Sequence, residues 1–342
     1  MAPPVLSQRA LNRALLERQL LLERSSLSIT DAIEQVGGLQ TQYAPSGYVG
    51  LWTRLRDFRR DDLTRALEDR SVVQATLLRG TIHMVSRADF WPYAEAIRRS
   101  RQEWAARAAV MPPAAELRAK ADALRQALAN GPRTVKELGE MGRGFVGNLG
   151  LWVDIVRVPP SGTWERRRAD RLALAEAWIG TAGVTETEGL THIVRAYLRG
   201  FAPASWRDVA SWAGISVQDA KRAGEALELK VYRDDAGKEL FDLAGLSIPD
   251  EREPAPVRFL PHWDNNLLVH ARRTGILPEA HRGKVFSTKN PFSVGVALVD
   301  GRAVAGWTPR EGRIELEPYE ELSPKDARAV EREREALEAF HA

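Results

Sequence analysis

Residues 187–241 read TEGLTHIVRAYLRGFAPASWRDVASWAGISVQDAKRAGEALELKVYRDDAGKELF. Leu190, Ile193, Val194, Tyr197 and Leu198 recur at helical spacing, which predicts a helix from Thr187 to Leu198, ended by Gly200. Ser205 caps a second helix, Trp206 to Trp212, stopped by Gly214, and Ser216 caps a third, Val217 to Leu227. Lys230-Val231-Tyr232 and Glu239-Leu240-Phe241 then flank the turn Asp234-Asp235-Ala236-Gly237. Three helices followed by a hairpin describe a winged helix. Its third helix carries Lys221 and Arg222, where a recognition helix meets DNA.

The same order recurs upstream without close sequence identity. A helix from Ala115 to Ala129, a short capped one from Thr134 to Leu138 and the apolar Phe145–Leu149 precede a hairpin. Its arms are Trp152–Val158 and Thr163–Arg168, joined by Pro159-Pro160-Ser161-Gly162. Nearer the start, Leu6–Leu22 is amphipathic, Thr30 caps Asp31–Val36, Ser46 caps Gly47–Leu55, and Asp61 or Asp62 opens another helix. Val72–Leu77 and Thr81–Val85 pair around Gly80. After Pro254 the expected elements are strands Val257–Leu260, Leu267–His270, Val294–Val299, Ala303–Trp307 and Arg313–Leu316, with a hairpin at Asp300-Gly301 and a charged helix Pro324–Phe340. The fold class expected is therefore α+β, with three tandem winged-helix modules over residues 1–110, 111–183 and 184–248. A β-rich subdomain with a terminal helix follows over 249–342.

Composition narrows the function. With 44% hydrophobic and 28% charged residues the 342-residue chain is an ordinary globular one. It has no cysteine, which excludes disulfides, Cys-ligated zinc, iron–sulfur clusters and a thiol nucleophile. No apolar run is long enough to span a membrane, and the first residues do not resemble a secretory signal, so a cytoplasmic protein is expected. Lysine and arginine total 49 against 46 acids, and 41 of the 49 are arginine. At a net charge of only +3, any surface for DNA must be local. Dinucleotide, phosphate-loop and helical two-histidine metal signatures are missing, and the six histidines are scattered, so neither metal nor cofactor is expected.

One local motif stands apart: Gly37-Gly38-Leu39-Gln40-Thr41-Gln42-Tyr43-Ala44-Pro45. The paired glycines and Pro45 argue against a helix here, and in an extended segment Gln40 and Gln42 face one side. Their amides could together hold one water or one ribose and phosphate edge, or simply bond to loop backbone. Candidate phosphate contacts are Arg79, Thr81 and His83 in the first hairpin and Arg166, Arg167 and Arg168 in the second, while Arg272 and Arg273 are a candidate minor-groove hairpin tip.

Leu15–Leu21, the Gly-Leu-Gln-Thr-Gln segment, Leu78–His83, Leu260–Leu268 and Val299–Trp307 together resemble the AlkZ/YcaQ-type winged-helix DNA glycosylases, from about Leu6 to Leu322. The resemblance implies three tandem winged helices and a concave basic surface for double-stranded DNA. It implies that Gln40 and Gln42 form the catalytic Gln-x-Gln of the AlkZ branch, where the YcaQ branch has Asp second. It further implies excision of N7-alkylguanine, including bulky adducts and interstrand crosslinks, in repair or in self-resistance to alkylating natural products; a nucleoid-associated monomer is expected, since three winged modules in one chain remove the need to dimerise. Asn265 follows Asp264 where the usual pairing is Asp-Glu. The rival class is a winged-helix DNA-binding protein without catalysis, a regulator or a lesion-sequestering protein.

Overall fold

Side-chain caps set most helix starts. The computed structural model describes residues 2–108, 111–142, 152–268, 270, 275–286 and 293–342. Its helices are α1 Gln8–Arg18, α2 Ile29–Gln35, α3 Pro45–Trp52, α4 Arg60–Glu68, α5 Arg87–Arg107, α6 Ala114–Leu128, α7 Ala175–Ile179, α8 Glu186–Phe201, α9 Trp206–Ala213, α10 Val217–Gly224, α11 Arg282–Val285 and α12 Pro324–His341. Its strands are β1 Val5–Leu6, β2 Leu39–Gln40, β3 Val72–Thr76, β4 Ile82–Ser86, β5 Arg133–Thr134, β6 Ile155–Arg157, β7 Arg171–Leu174, β8 Leu229–Asp234, β9 Glu239–Leu243, β10 Arg258–Leu260, β11 Gly295–Val299, β12 Arg302–Arg310 and β13 Arg313–Pro318. None of the described helices is long and apolar enough to cross a membrane.

The stretch 187–241 folds in the expected order. Thr185 with Glu188 and Ser205 with Asp208 form reciprocal caps on α8 and α9, and Ser216 caps α10. β8 and β9 pair as an antiparallel hairpin. Gly200, however, does not end its helix, which runs on to Phe201 ahead of Pro203. A Cβ at Gly200 would lie 3.0 Å from the Gln35 carbonyl oxygen and 3.2 Å from Gln19 Nε2, so glycine is needed there for close packing. Gly189 does the same against α5, where a Cβ would stand 2.7 Å from the Pro92 carbonyl oxygen. These two contacts let α8 lie directly on the first segment.

Strand pairing crosses the expected module limits. β2-β4-β3-β6-β7-β5 is one six-stranded sheet, in which Ala75 of β3 pairs with Val156 of β6. Residues 1–110 and 111–183 therefore share a sheet. β1 joins the third hairpin in parallel, Val5 opposite Arg233. The four-stranded antiparallel sheet β10-β11-β12-β13 closes the C-terminal part, with the β11–β12 turn at Asp300 and Gly301 in left-handed backbone.

Several local expectations are corrected. Ser28, not Thr30, caps α2, because its hydroxyl accepts from the Asp31 N–H at 3.1 Å. α3 starts on Pro45 without a side-chain cap, so Ser46 lies inside its first turn. α1 is shorter than Leu6–Leu22, starting at the Ser7 cap and ending before Leu20, whose φ is 56°. Thr134–Leu138 is a turn, though Thr134 Oγ1 does accept from the Glu137 N–H. The arm returning to β6 is β7, not Thr163–Arg168, which remains a loop. Leu267, Leu268 and His270 are not in a strand: Asp264 caps a 3-10 turn over Asn265–Leu267. Phe145–Leu149, Arg272 and Arg273 lie outside the described residues.

Candidate active site

Gly37 and Gly38, at φ 75° and 87°, end α2 and turn the chain into β2. Leu39 pairs with Met84 and Gln40 with His83, and the Thr41 N–H donates to the Ile82 carbonyl at 2.7 Å. The motif thus begins as a short edge strand that ends at Gln40, and Gln42 lies in the bend that follows. Thr41 Oγ1 accepts from Gln74 Nε2 at 3.2 Å. Gln40 is buried, with 8% of its surface exposed, whereas Gln42 is exposed.

Both amides are held by their carbonyl ends. Arg79 Nη2 donates to Gln40 Oε1 at 3.0 Å, and the Ile82 N–H donates to Gln42 Oε1 at 3.1 Å. A guanidinium and a backbone N–H are donors only, so each accepting atom must be the amide oxygen. The NH2 group of each glutamine has no protein partner among the described residues. Each carbonyl oxygen also keeps a second lone pair.

The hairpin residues behind the motif are engaged within the protein. Arg79 reaches Gln40, Asn265 Oδ1 at 3.4 Å and the Trp212 carbonyl. Burial lowers its pKa to about 10, which leaves it cationic at neutral pH. Thr81 Oγ1 donates to the Leu78 carbonyl at 3.1 Å, stapling the turn. His83 is fully buried, with Nδ1 on the Thr81 carbonyl, and burial with the Arg79 charge lowers its pKa to about 3. It is a neutral core residue, and a surface phosphate cannot reach it.

Arg166, Arg167 and Arg168 are exposed on the loop between β6 and β7. Arg167 Nη1 donates to the Tyr43 hydroxyl at 3.0 Å, mooring the loop one residue beyond Gln42. Arg168 pairs with Asp170 at 3.2 Å. Trp164 anchors the loop from below, its ring 5.6 Å from Tyr48, 5.6 Å from Phe340 and 5.0 Å from His341. The terminal helix α12, which carried no expected role, therefore supports the arginine loop. Lys221 and Arg222 are exposed on α10, where Asp219 binds both Arg222 and Arg99.

Residues 264–266 brace the site from the C-terminal part. Asp264 pairs with the buried Arg54 at 2.9 Å, and Asn265 Nδ2 donates to the Gly38 carbonyl at 3.2 Å. Asn266 Nδ2 donates to Gln19 Oε1 at 3.2 Å. Sequence reasoning missed the links of Arg79 to Gln40, of Asn265 to Gly38 and of Arg167 to Tyr43. No local signal marks pairs separated by 39, 227 and 124 positions. Among the described residues, no cluster of three or more histidines and carboxylates could hold a metal ion.

A winged-helix unit, with an arginine loop beside two oriented amides, has the parts of a protein that acts on DNA. The chain belongs to the AlkZ-like DNA glycosylase family, whose model matches residues 33–340. It is accordingly a DNA glycosylase with DNA as its substrate. The solved structure of the Streptomyces sahachiroi DNA glycosylase AlkZ shares the fold with a TM-score of 0.79 at 19% identity, over 98% of this chain and 97% of that one. None of the curated proteins matches at the sequence level.

Proposed function

We propose that the protein hydrolyses the N-glycosidic bond of N7-alkylated guanine in duplex DNA, acting as a monomer on the chromosome in the cytoplasm, with Gln40 and Gln42 as its catalytic pair. The observation that carries this reading is the fixed orientation of the two amides, one at the end of an edge strand and one in the bend that follows it, beside an exposed arginine loop. Excision of an ordinary base needs a general acid, because the leaving group is poor. An N7-alkylguanine is already cationic and leaves as a neutral base. What remains is to hold a water against C1′ and to stabilise the sugar cation. The glutamine carbonyls can accept a hydrogen bond from that water while the NH2 groups donate to sugar or phosphate oxygens, and the proton released as the C1′–oxygen bond forms passes to bulk water. Neither amide titrates near neutral pH, so neither is a general base. Bulky adducts and crosslinks fall within the same chemistry, and repair or self-resistance is the corresponding role.

The test is incubation with duplex DNA carrying N7-methylguanine, followed by an assay for free base. Release from that duplex and none from undamaged DNA is expected. Binding without release from several N7 adducts would remove the lesion assignment and favour sequestration.

The arginine loop belongs to the proposed footprint. Replacing Arg166, Arg167 and Arg168 together by alanine should weaken binding on all duplex sequences alike. It should also flatten the plot of log K against log salt by roughly 1–3 units, since each phosphate contact releases close to one counterion. An unchanged salt slope takes the loop out of the footprint. Lys221, Arg222, Arg272 and Arg273 complete the proposed contacts.

A further inference from the structure

We infer that Arg79 is a positioning residue for Gln40: its guanidinium fixes which end of the Gln40 amide faces the DNA, and it is itself held by the third winged helix and the C-terminal subdomain. The inference rests on the proposed role of Gln40.

Two unfavourable features coincide at Arg79. Its backbone has φ 54°, followed by Gly80 at 73°, so a long side chain occupies a left-handed position that glycine or asparagine ordinarily fills. Its side chain is partly withdrawn from water, yet every acceptor it reaches among the described residues is neutral: Gln40 Oε1, Asn265 Oδ1 and the Trp212 carbonyl. A buried cation is normally matched by a carboxylate, as Arg54 is by Asp264 and Arg18 by Asp242 in this same protein. Strain and an unmatched charge at one residue, in contact with a candidate catalytic side chain, are the combination from which a functional role is argued.

The three contacts explain what the residue accomplishes. Trp212 lies in the last turn of α9, where terminal carbonyls lack helical partners and the helix dipole favours a cation. Asn265 holds Arg79 through Oδ1 and the Gly38 carbonyl through Nδ2, so one amide spans the start of β2 and the guanidinium. Arg79 is therefore fixed from two sides before it meets Gln40. Rotating the Gln40 amide by half a turn would set its NH2 against the guanidinium, donor against donor. The charge also polarises the amide, making its N–H groups stronger donors toward the lesion nucleotide. A lysine at this position would keep the charge but lose the planar fork that serves three acceptors at once.

The test compares Arg79→Met, Arg79→Lys, Gln40→Ala and Gln40→Ala/Arg79→Met in single-turnover excision from an N7-methylguanine duplex. DNA affinity and its salt slope are measured alongside. Arg79→Met should slow the chemical step by about 10–100-fold at saturating protein, with affinity within about threefold, and Arg79→Lys should restore part of the rate. Adding Arg79→Met to Gln40→Ala should change the rate by no more than about twofold, because the two act as one unit. A second readout is the side-chain amide ¹⁵N–¹H resonance of Gln40, identified by its loss in Gln40→Ala, which should move in Arg79→Met. If Arg79→Met does not fold, Arg79→Lys carries the same comparisons. Independent, multiplying effects, an unmoved Gln40 resonance, or a loss of affinity with a flattened salt slope would each overturn the positioning role while leaving the proposed function standing. Excision at the wild-type rate by Gln40→Ala would remove the role of Gln40 itself, and the role of Arg79 with it.

Discussion

Gln42→Ala, and separately Gln40→Ala, are expected to lower the single-turnover rate of N7-methylguanine release by about 10–1000-fold, with DNA affinity within a few-fold. A positioned water contributes to the transition state far more than to ground-state binding, so losing its anchor lowers rate rather than affinity. The loss is bounded because a cationic purine already departs slowly unaided. Gln42 is exposed and, among the described residues, held only through the Ile82 N–H, so Gln42→Asp can keep that backbone bond, hold the same water and stabilise the sugar cation. That variant should stay active. Gln42→Leu keeps bulk but removes donor and acceptor, and should not. If Gln40→Ala/Gln42→Leu releases base as fast as the wild type, these residues are not the catalytic pair.

Stability should fall steeply between pH 6.5 and pH 5. Burial lowers the pKa of His83 to about 3 and holds His262 and His270 below the ordinary 6.5, with Arg79 and His83 adding to the effect on His270. The sign follows from which state binds protons. Below pH 6.5 the unfolded chain takes up protons at these histidines while the folded chain does not, so their contribution is complete above that pH. It is lost as pH falls toward the folded values. For the fully buried His83 the loss at pH 5 is about 2 kcal/mol, from 1.36 kcal/mol per pH unit. His270 is as deeply buried and adds in the same direction. Urea midpoints measured from pH 7.5 to pH 5 check this, and His83→Gln should flatten the dependence. A flat profile in the wild type would mean that the histidines do not stay neutral in the fold.

What could be read from the sequence were events closed within a few residues. Ser205, Ser216 and the Asp300-Gly301 turn satisfy or redirect backbone groups three or four positions away, so their effect is written locally. The Gly37-Gly38 pair likewise ends a helix by its own backbone freedom, which is why the break before the short Leu39–Gln40 strand was legible, whereas the bend at Gln42 was not. Errors arose where two local solutions compete, as with Ser28 over Thr30, or where a local signal had a distant purpose. Gly200 reads as a helix stop, but it is the contact surface for Gln19 and the end of α2.

The assembly of the site was decided only in three dimensions. Whether β3 would pair with β6, whether β1 would join β8, and which end of each glutamine would face outward depend on which surfaces meet when α8 packs on α5. Arg79, Thr81 and His83 look alike as polar hairpin residues. Burial makes one a bracket for Gln40, one a staple for its turn and one a neutral core side chain. By itself the sequence determined the capped starts of α9 and α10 and the Asp300-Gly301 turn, because hydrogen bonds and φ preferences act within about four residues. Which polar groups were buried together, and so which amide end was left without a protein partner among the described residues, was settled by tertiary packing, because a buried donor must find its acceptor wherever the chain brings one.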